Sequence, residues 1–564
     1  MPRFLDLRVV AMALCALLAL PVLAIGLAWL SPQAGSWELL RHLFSTVLPG
    51  YALNSLLLVL GVAVGVALLG GATAAAVTLF EFPGRRQFEW ALLLPLAMPA
   101  YVLAYAMTDF LQYSGPLQSG LRATFGASGP LWPDVRSLPG AVLLFTLALY
   151  PYVYLLTRAA LAERGVHLME AARMLGAPLG RRIREVALPL ARPAIAAGVA
   201  LAMMETLADY GVGSFFGLTT FTTGIYKAWL VADDRIAAAQ LSTVLLLVVA
   251  LLLAAERRAQ QRLRFAGARG AAVRAAPAGA ERGDPGTPSR EGSLVPLHGT
   301  AAAIALVLCA LPVLLGFVMP VVVLLRAVLI EALHGGPEGL GGLPWGRFIG
   351  WAWTSLLLAA LAAALAVGLA LLLGSVLRQP RQDWRGAAAG GLARLVSLGY
   401  AVPGAVIAVG LLLPVGWLQQ TGALGAALLT ALFTGTAFGL IYAYLVRFSA
   451  VALQSVEAGY TRIPASFDDS ARLLGAGPGR LFAGVHLPLL RRSALAAGLL
   501  VFVDVMKELP ATLLLRPFNS DTLAVVAYNL ARDERLAEAA LPSIAMVVVG
   551  LVPVLLLSRA MRSR

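Results

Sequence analysis

The sequence predicts an all-α membrane protein of about twelve transmembrane helices, arranged as two tandem units of six. Composition is the first reason. Of 564 residues, 60% are hydrophobic and 13% are charged, whereas soluble domains are roughly half apolar and about a quarter charged. A water-soluble core stops growing at ~250–300 residues, so lipid must take up this much apolar surface. The second reason is length. Apolar stretches of ~20 residues, enough to cross ~30 Å of hydrocarbon, occur twelve times. The third is repetition, because both halves carry the same punctuated loop in the same order.

In the first half the apolar stretches lie near 9–30, 55–79, 90–111, 139–157, 193–215 and 238–255. In the second they lie near 303–326, 352–374, 395–418, 424–446, 493–515 and 540–557. Arg3 and Arg8 before the first stretch imitate a secretory signal. The run at 9–30 is nevertheless as long as a full span and lacks a small-x-small cleavage site, so it is read as a retained helix. The two cysteines, Cys15 and Cys309, sit in apolar runs of different halves, which is neither a disulfide framework nor a metal-ligand spacing. Leu14 stands where a lipoprotein signal needs a small residue.

The net charge of +14 does not imply nucleic acid. The arginines fall in short clusters between apolar runs, as anionic lipid and the positive-inside rule require, and no basic soluble domain remains once those runs are removed. Arg3 and Arg8, Arg85 and Arg86, the loop from Arg158 to Arg184, the 375–394 and 447–492 loops, and Arg559, Arg562 and Arg564 fall on one side. Asp233, Asp234, Asp533, Glu534 and Glu538 fall on the other. Both termini are therefore expected in the cytoplasm. Residues 1–255 form the first unit and 299–564 the second. Residues 256–298, rich in Arg, Ala, Gly and Pro without periodicity, are expected to be a flexible cytoplasmic linker.

The repeat is sharpest in the two longest cytoplasmic loops, 158–192 and 447–492. EAARMLG-APLGRRIREVALP begins at Glu170 and ends at Pro189; DSARLLG-AGPGRLFAGVHLP begins at Asp469 and ends at Pro488. Glu170 and Asp469, Gly176 and Gly475, and Pro189 and Pro488 are each 299 residues apart. Ala171 and Ala172 favour helix, as does Ala471. Glycine is the residue expected just past a helix end where φ is positive, and Pro178 suits the first turn of the next helix. A helix, a glycine break and a second amphipathic helix could dock into a groove of another protein or lie on lipid headgroups. The recurrence of the Gly and Leu-Pro spacing favours docking.

Both loops resemble the EAA loop of ABC-transporter permeases, the membrane subunits of binding-protein-dependent importers. The first half keeps the pattern; the second has Asp469-Ser470 for Glu-Ala, which leaves open whether the two loops couple equally. The resemblance covers nearly the whole chain and implies a type I ABC importer-like fold. It also implies two cytosolic ABC ATPase subunits and a periplasmic substrate-binding protein as partners. The residues carried over as ATPase-coupling are Glu170, Ala171, Ala172, Gly176, Pro189, Asp469, Ala471, Gly475 and Pro488. The chain is not expected to be an enzyme. A Walker A loop needs a lysine beside the phosphates, and Lys227 and Lys507, the only lysines, stand in IYKAW and VMKEL. No cofactor is expected on this chain, ATP being used by the partner.

Beyond each loop two carboxylates recur: Glu205 with Asp504 and Asp209 with Glu508, again 299 apart. Within each half, Glu205 with Asp209 and Asp504 with Glu508, the i, i+4 spacing puts both on one helix face. If the helices start near Pro193 and Arg492, Glu205 and Asp504 lie ~18 Å in at ~1.5 Å per residue. Carboxylates at that depth mark a translocation path or a paired site. The structural alternative is that Asp504 pairs with Lys507 and that Asp209 and Glu508 lie close to the helix ends near Gly211 and Pro510. The flanking METLADYGVGSFFGLTTFTTGIYKAW and MKELPATLLLRPFNSDTLAVVAYNLARDE resemble the fused permeases of ferric-iron importers. Thiamine, phosphonate and polyamine permeases share the architecture. A hard trivalent cation prefers the oxygen ligands that carboxylate and tyrosine supply, although cationic polyamines suit the same acids.

The expected protein is thus a bacterial inner-membrane permease whose halves are related by a pseudo-two-fold axis along the membrane normal. The alternative class is an ion-gradient-driven secondary transporter, which needs no ATPase; a channel would need a filter sequence that is not evident. Ala280→Cys and Ser520→Cys, introduced singly, should be labelled by an impermeant thiol reagent from opposite sides of the membrane. Labelling from the same side would overturn the twelve-helix topology.

Overall fold

The computed structural model describes residues 7–30, 41–42, 45–162, 166–274, 294–334, 344–378, 384–420 and 425–562. Within them the chain is helical almost throughout, and the only strands, Phe80–Glu81 and Val295–Pro296, form one parallel pair. Among the described residues nine helices are long and apolar enough to cross a membrane, or eleven if each of two bent pairs is one span. The stretch expected at 493–515 is Leu487–Met506, which carries Arg491, Arg492 and Asp504 within its 20 residues.

Three expected spans change form. Near 90–111 the helices Arg85–Ala97 and Ala100–Phe125 meet at 95°, and near 395–418 Gly390–Ala401 and Gly404–Gln419 meet at 119°. Pro99 and Pro403 stand at these breaks, and the residues before them, Met98 and Val402, are extended. Proline lacks an N–H and pushes its predecessor out of the helical region. The span expected at 424–446 is instead a short helix, Ala426–Gly435, followed by Ala437–Tyr460. Thr436, in extended conformation, ends the first and caps the second by accepting from the Phe438 N–H at 3.2 Å. Arg447, assigned to a cytoplasmic loop by the sequence, therefore lies mid-helix and buried.

The linker also departs from expectation. Arg235–Arg274 is one helix, so 256–274 is helical rather than irregular. Alanine, arginine and glutamine are good helix formers, and prolonging an existing helix requires no new nucleus. Residues 275–293, including Ala280, lie outside the described residues. The far end of the linker is pinned: Val295–Pro296 pairs with Phe80–Glu81, and the Leu297 N–H donates to the Glu81 carbonyl at 2.9 Å.

Each half packs three long helices together: Leu48–Leu79, Leu138–Ala160 and Leu188–Ala208 in the first, Trp345–Leu377, Ala437–Tyr460 and Leu487–Met506 in the second. Glycine sets the approach. A Cβ on Gly198 would lie 2.6 Å from the Val153 Cα, and one on Gly70 would lie 2.7 Å from the Tyr150 carbonyl oxygen. Lipid cannot drive apolar helices together, so such close backbone packing supplies the association. Leu53, Leu56, Leu60, Val64 and Leu68 stay exposed at helical spacing along the outer face, a stripe suited to lipid.

The halves are interlocked. Leu7–Leu27 packs on Trp384–Val396 and Gly404–Gln420 of the second unit, with Gly410 against the Pro21 carbonyl and Tyr442 donating to the Leu17 carbonyl. In return Leu536–Arg562 lies on Leu94–Ala97 of the first unit, where Gly550 meets the Ala97 carbonyl.

Candidate functional site

The two loops form matching elbows. Val166–Met174 and Ala465–Leu473 are the first arms, and Gly176 and Gly475 follow with φ of +79° and +78°. The Gly176 N–H donates to the Arg173 carbonyl at 2.9 Å, and the Ala177 N–H to the Ala172 carbonyl at 3.0 Å. Gly475 to Arg472 and Ala476 to Ala471 repeat both bonds at the same distances. This is a Schellman closure, which needs a left-handed residue at the glycine position. At each tip two large apolar side chains, Met174 and Leu175 or Leu473 and Leu474, are between 86% and 89% exposed. Ala171 accepts from the Leu175 N–H at 3.1 Å. Glu170 is half-buried, while Asp469 is exposed with Arg472 at 3.9 Å.

The second arms, Leu179–Arg182 and Pro478–Leu481, continue through π-helical turns into Leu188–Ala208 and Leu487–Met506. Pro189 and Pro488 directly follow those turns; the wider coil accommodates the missing N–H and the ring's clash with the fourth carbonyl back. The helices thus begin some five residues earlier than Pro193 and Arg492. Each elbow is continuous with a long helix whose far end reaches the carboxylates, ~30 Å away at ~1.5 Å per residue.

Those carboxylates do not share one helix face in pairs. Leu188–Ala208 stops before Asp209, and Leu487–Met506 before Glu508. Asp209 accepts from the Val212 N–H at 2.8 Å. Glu508, almost wholly buried, accepts from the Ala511 and Thr512 N–H groups at 2.9 and 3.1 Å and from the Thr512 hydroxyl at 2.7 Å. Both acids accept from donors at the start of the short helices that follow the breaks. Asp504 pairs with Lys507 at 3.2 Å.

All four nevertheless converge. Glu205, Asp209, Asp504 and Glu508 line one cavity of about 140 Å³ between the halves, together with Tyr101, Tyr152, Tyr400, Arg447 and Lys507. Arg447 Nη1 lies 3.3 Å from Glu508 Oε1. A Cβ on Gly404, at the break after Pro403, would collide with that carboxylate, so glycine is what allows the close approach. Four carboxylates against two cations leave two formal negative charges. Among the described residues no three His, Cys, Asp or Glu side chains are placed to hold a metal ion. The lining can attract a cation but does not form a coordination cage. Beside it the Tyr210 and Tyr226 rings stack at 3.7 Å, and Tyr528 bridges to Ser214 at 2.7 Å and Tyr210 at 3.3 Å.

Sequence reading missed Arg447, Tyr101, Tyr152 and Tyr400; the repeat does not mark Arg447, whose counterpart is Ala148, whereas Tyr101 and Tyr400 are themselves 299 residues apart. An arginine within reach of an apolar run was the available signal.

The family model for "Binding-protein-dependent transport system inner membrane component" matches the chain twice, over residues 67–265 and 367–563. The chain belongs to this family. The permease carries two family units fused in tandem, one on each side of the cavity. It is 25% identical over 510 residues to the Fe(3+)-transport system permease protein FbpB 2 of Haemophilus influenzae, covering 90% of this chain and 89% of the relative. The putative 2-aminoethylphosphonate transport system permease protein PhnU of Salmonella choleraesuis is 27% identical over 37% of this chain and 74% of its own length. The molybdenum transport system permease protein ModB of Escherichia coli is 32% identical over 23% of this chain and 55% of its own length.

Removing one partner of a buried ion pair typically costs about 3–5 kcal/mol. Arg447→Leu should therefore lower the thermal unfolding midpoint of the detergent-solubilised permease, and adding Glu508→Gln should restore most of it. No difference between single and double variants would show that the pair is not coupled.

Proposed function

We propose that this permease is the membrane path of an ATP-driven importer that moves ferric iron from a periplasmic binding protein into the cytoplasm. The observation that carries the importer reading is the pair of matching glycine elbows, each with an exposed apolar tip and each continuous with a helix that ends at the cavity. The tips fit grooves on two cytosolic ATPase subunits, and closure of those subunits on ATP would move the elbows together. The attached helices would then open the cavity to alternate sides. The chain's own residues supply docking and lining; hydrolysis belongs to the partner.

The ferric assignment is supported by likeness to an Fe(3+)-transport permease along nearly the whole of both chains, and by the excess of carboxylates around the cavity. Arg447 and Lys507 favour a second reading, an oxyanion cargo, in keeping with the names of the phosphonate and molybdenum relatives. The surplus negative charge weighs against it.

Gly176→Pro, Gly475→Pro and Glu170→Lys should each abolish substrate-stimulated ATP hydrolysis in the reconstituted complex while leaving the permease in the membrane. Wild-type stimulation in all three would remove the coupling role. Glu205→Gln combined with Asp504→Asn should cut ferric uptake more than tenfold, a loss of about 1.4 kcal/mol or more on the path, at unchanged membrane abundance. If abundance falls in step with uptake, the acids are structural. If molybdate or phosphonate is carried and iron is not, the oxyanion reading replaces the ferric one.

A further inference from the structure

Opposite charges meet in the cavity without closing on each other. Glu205 lines it from the first unit and Arg447 from the second, and both also border the narrower space beside Tyr400. The one ion pair that Arg447 makes is with Glu508. Among the described residues Glu205 has neither a hydrogen bond nor an ion pair. A half-buried carboxylate and a buried guanidinium thus face one space with a gap between them.

The guanidinium is used only in part. Arginine carries five N–H donors, yet Nη1 alone is engaged, donating to Glu508 Oε1 at 3.3 Å, and Nε is buried without an acceptor. Glu508 is already well supplied. It accepts from the Ala511 and Thr512 N–H groups at 2.9 and 3.1 Å and from the Thr512 hydroxyl at 2.7 Å. Burying a charge is costly unless its hydrogen bonds are met, and the acid that Arg447 touches meets only part of that demand.

The metal side is incomplete in a complementary way. Among the described residues no three His, Cys, Asp or Glu side chains are placed to hold a metal ion, whereas a hard cation keeps oxygen ligands around it. Ferric iron would cross such a lining only with some of its own oxygen ligands attached. The planar fork of a guanidinium matches the oxygens of a carboxylate or phosphate. At about 140 Å³ the cavity is smaller than the ~300–1,000 Å³ typical of pockets for drug-sized ligands, so the attached ligand must be small.

We propose that iron crosses this permease with a small oxyanion still bound to it, Glu205 facing the metal and Arg447 facing the anion. The inference rests on the ferric reading of the cargo. It gives one cargo to both halves of a bipolar cavity, the surplus carboxylates and the guanidinium set among them.

The test is dual-label uptake by proteoliposomes that hold the full permease with its ATPase subunits and its binding protein. Radioactive iron is supplied with radiolabelled phosphate, or with radiolabelled oxalate as a small dicarboxylate. At least one of these anions should enter in equal number with iron, and neither should enter without it. Arg447→Gln combined with Glu508→Gln removes the guanidinium without stranding its buried partner. That double variant should lower uptake of both labels by roughly tenfold or more at unchanged membrane abundance. Iron entering with neither anion overturns the proposal and leaves the ferric reading in place. Phosphate entering without iron, or an aminophosphonate zwitterion carried in its place, overturns both. An unaltered rate and anion-to-iron ratio in the double variant, or abundance falling in step with uptake, overturns the assignment of the anion to Arg447.

Discussion

A helix that stops and restarts inside a membrane protein leaves carbonyls at the stop and N–H groups at the restart where water is scarce, and each must find a partner. The permease breaks two of its long helices in this way, after Ala208 and after Met506. Asp209 meets the first break by accepting from the Val212 N–H; Glu508 meets the second by accepting from Ala511 and Thr512. The price is a carboxylate beside each break, half-buried at Asp209 and buried at Glu508. Much of the remaining design follows from that: Arg447 neutralises Glu508 from Ala437–Tyr460, and Gly404 leaves room for the pair. The acids that cap the breaks are thereby also the acids that line the cavity.

The same helices carry the cavity's connection to the other end of the molecule. Each begins at an elbow closed by a left-handed glycine and passes a π-helical turn before its leucine–proline step. On the proposed reading of the elbows as docking elements, this continuous helix is the linkage between docking at one end and access at the other. Interlocking of the halves matters here, since Leu7–Leu27 lies on the second unit and Leu536–Arg562 touches the first.

Symmetry in this chain is a property of backbone more than of side chains. Ser137 and Thr436 cap equivalent helices, and Ser55 and Ser355 accept from the N–H groups of Phe221 and Leu523 at 3.1 and 2.8 Å. The chemistry laid on that frame differs. Arg447 has no charged counterpart, and Asp468 of the second elbow stands where Met169 stands in the first. A fused chain is free to diverge in this way, because each half evolves against a fixed partner.

The sequence by itself determined the membrane class, the two-unit repeat and the elbows. Those features are local: a span needs only length and apolarity, and Gly176 and Gly475 announce their positive φ through helix formers before them and a fixed spacing to Leu-Pro after them. It also picked out Glu205, Asp209, Asp504 and Glu508, since a carboxylate in an apolar run is costly wherever it lies. Tertiary structure alone decided what those acids do. Whether Asp209 continues a helix or caps the next depends on the turn the backbone takes after Ala208, and that turn is stabilised by packing such as Gly211 against Tyr101. The bends at Pro99 and Pro403, the shift of a span to Ala437–Tyr460 and the passage of Leu7–Leu27 onto the other half were likewise invisible to hydropathy. Apolar length says how much chain fits in lipid, but only packing fixes where it bends and which neighbour it meets.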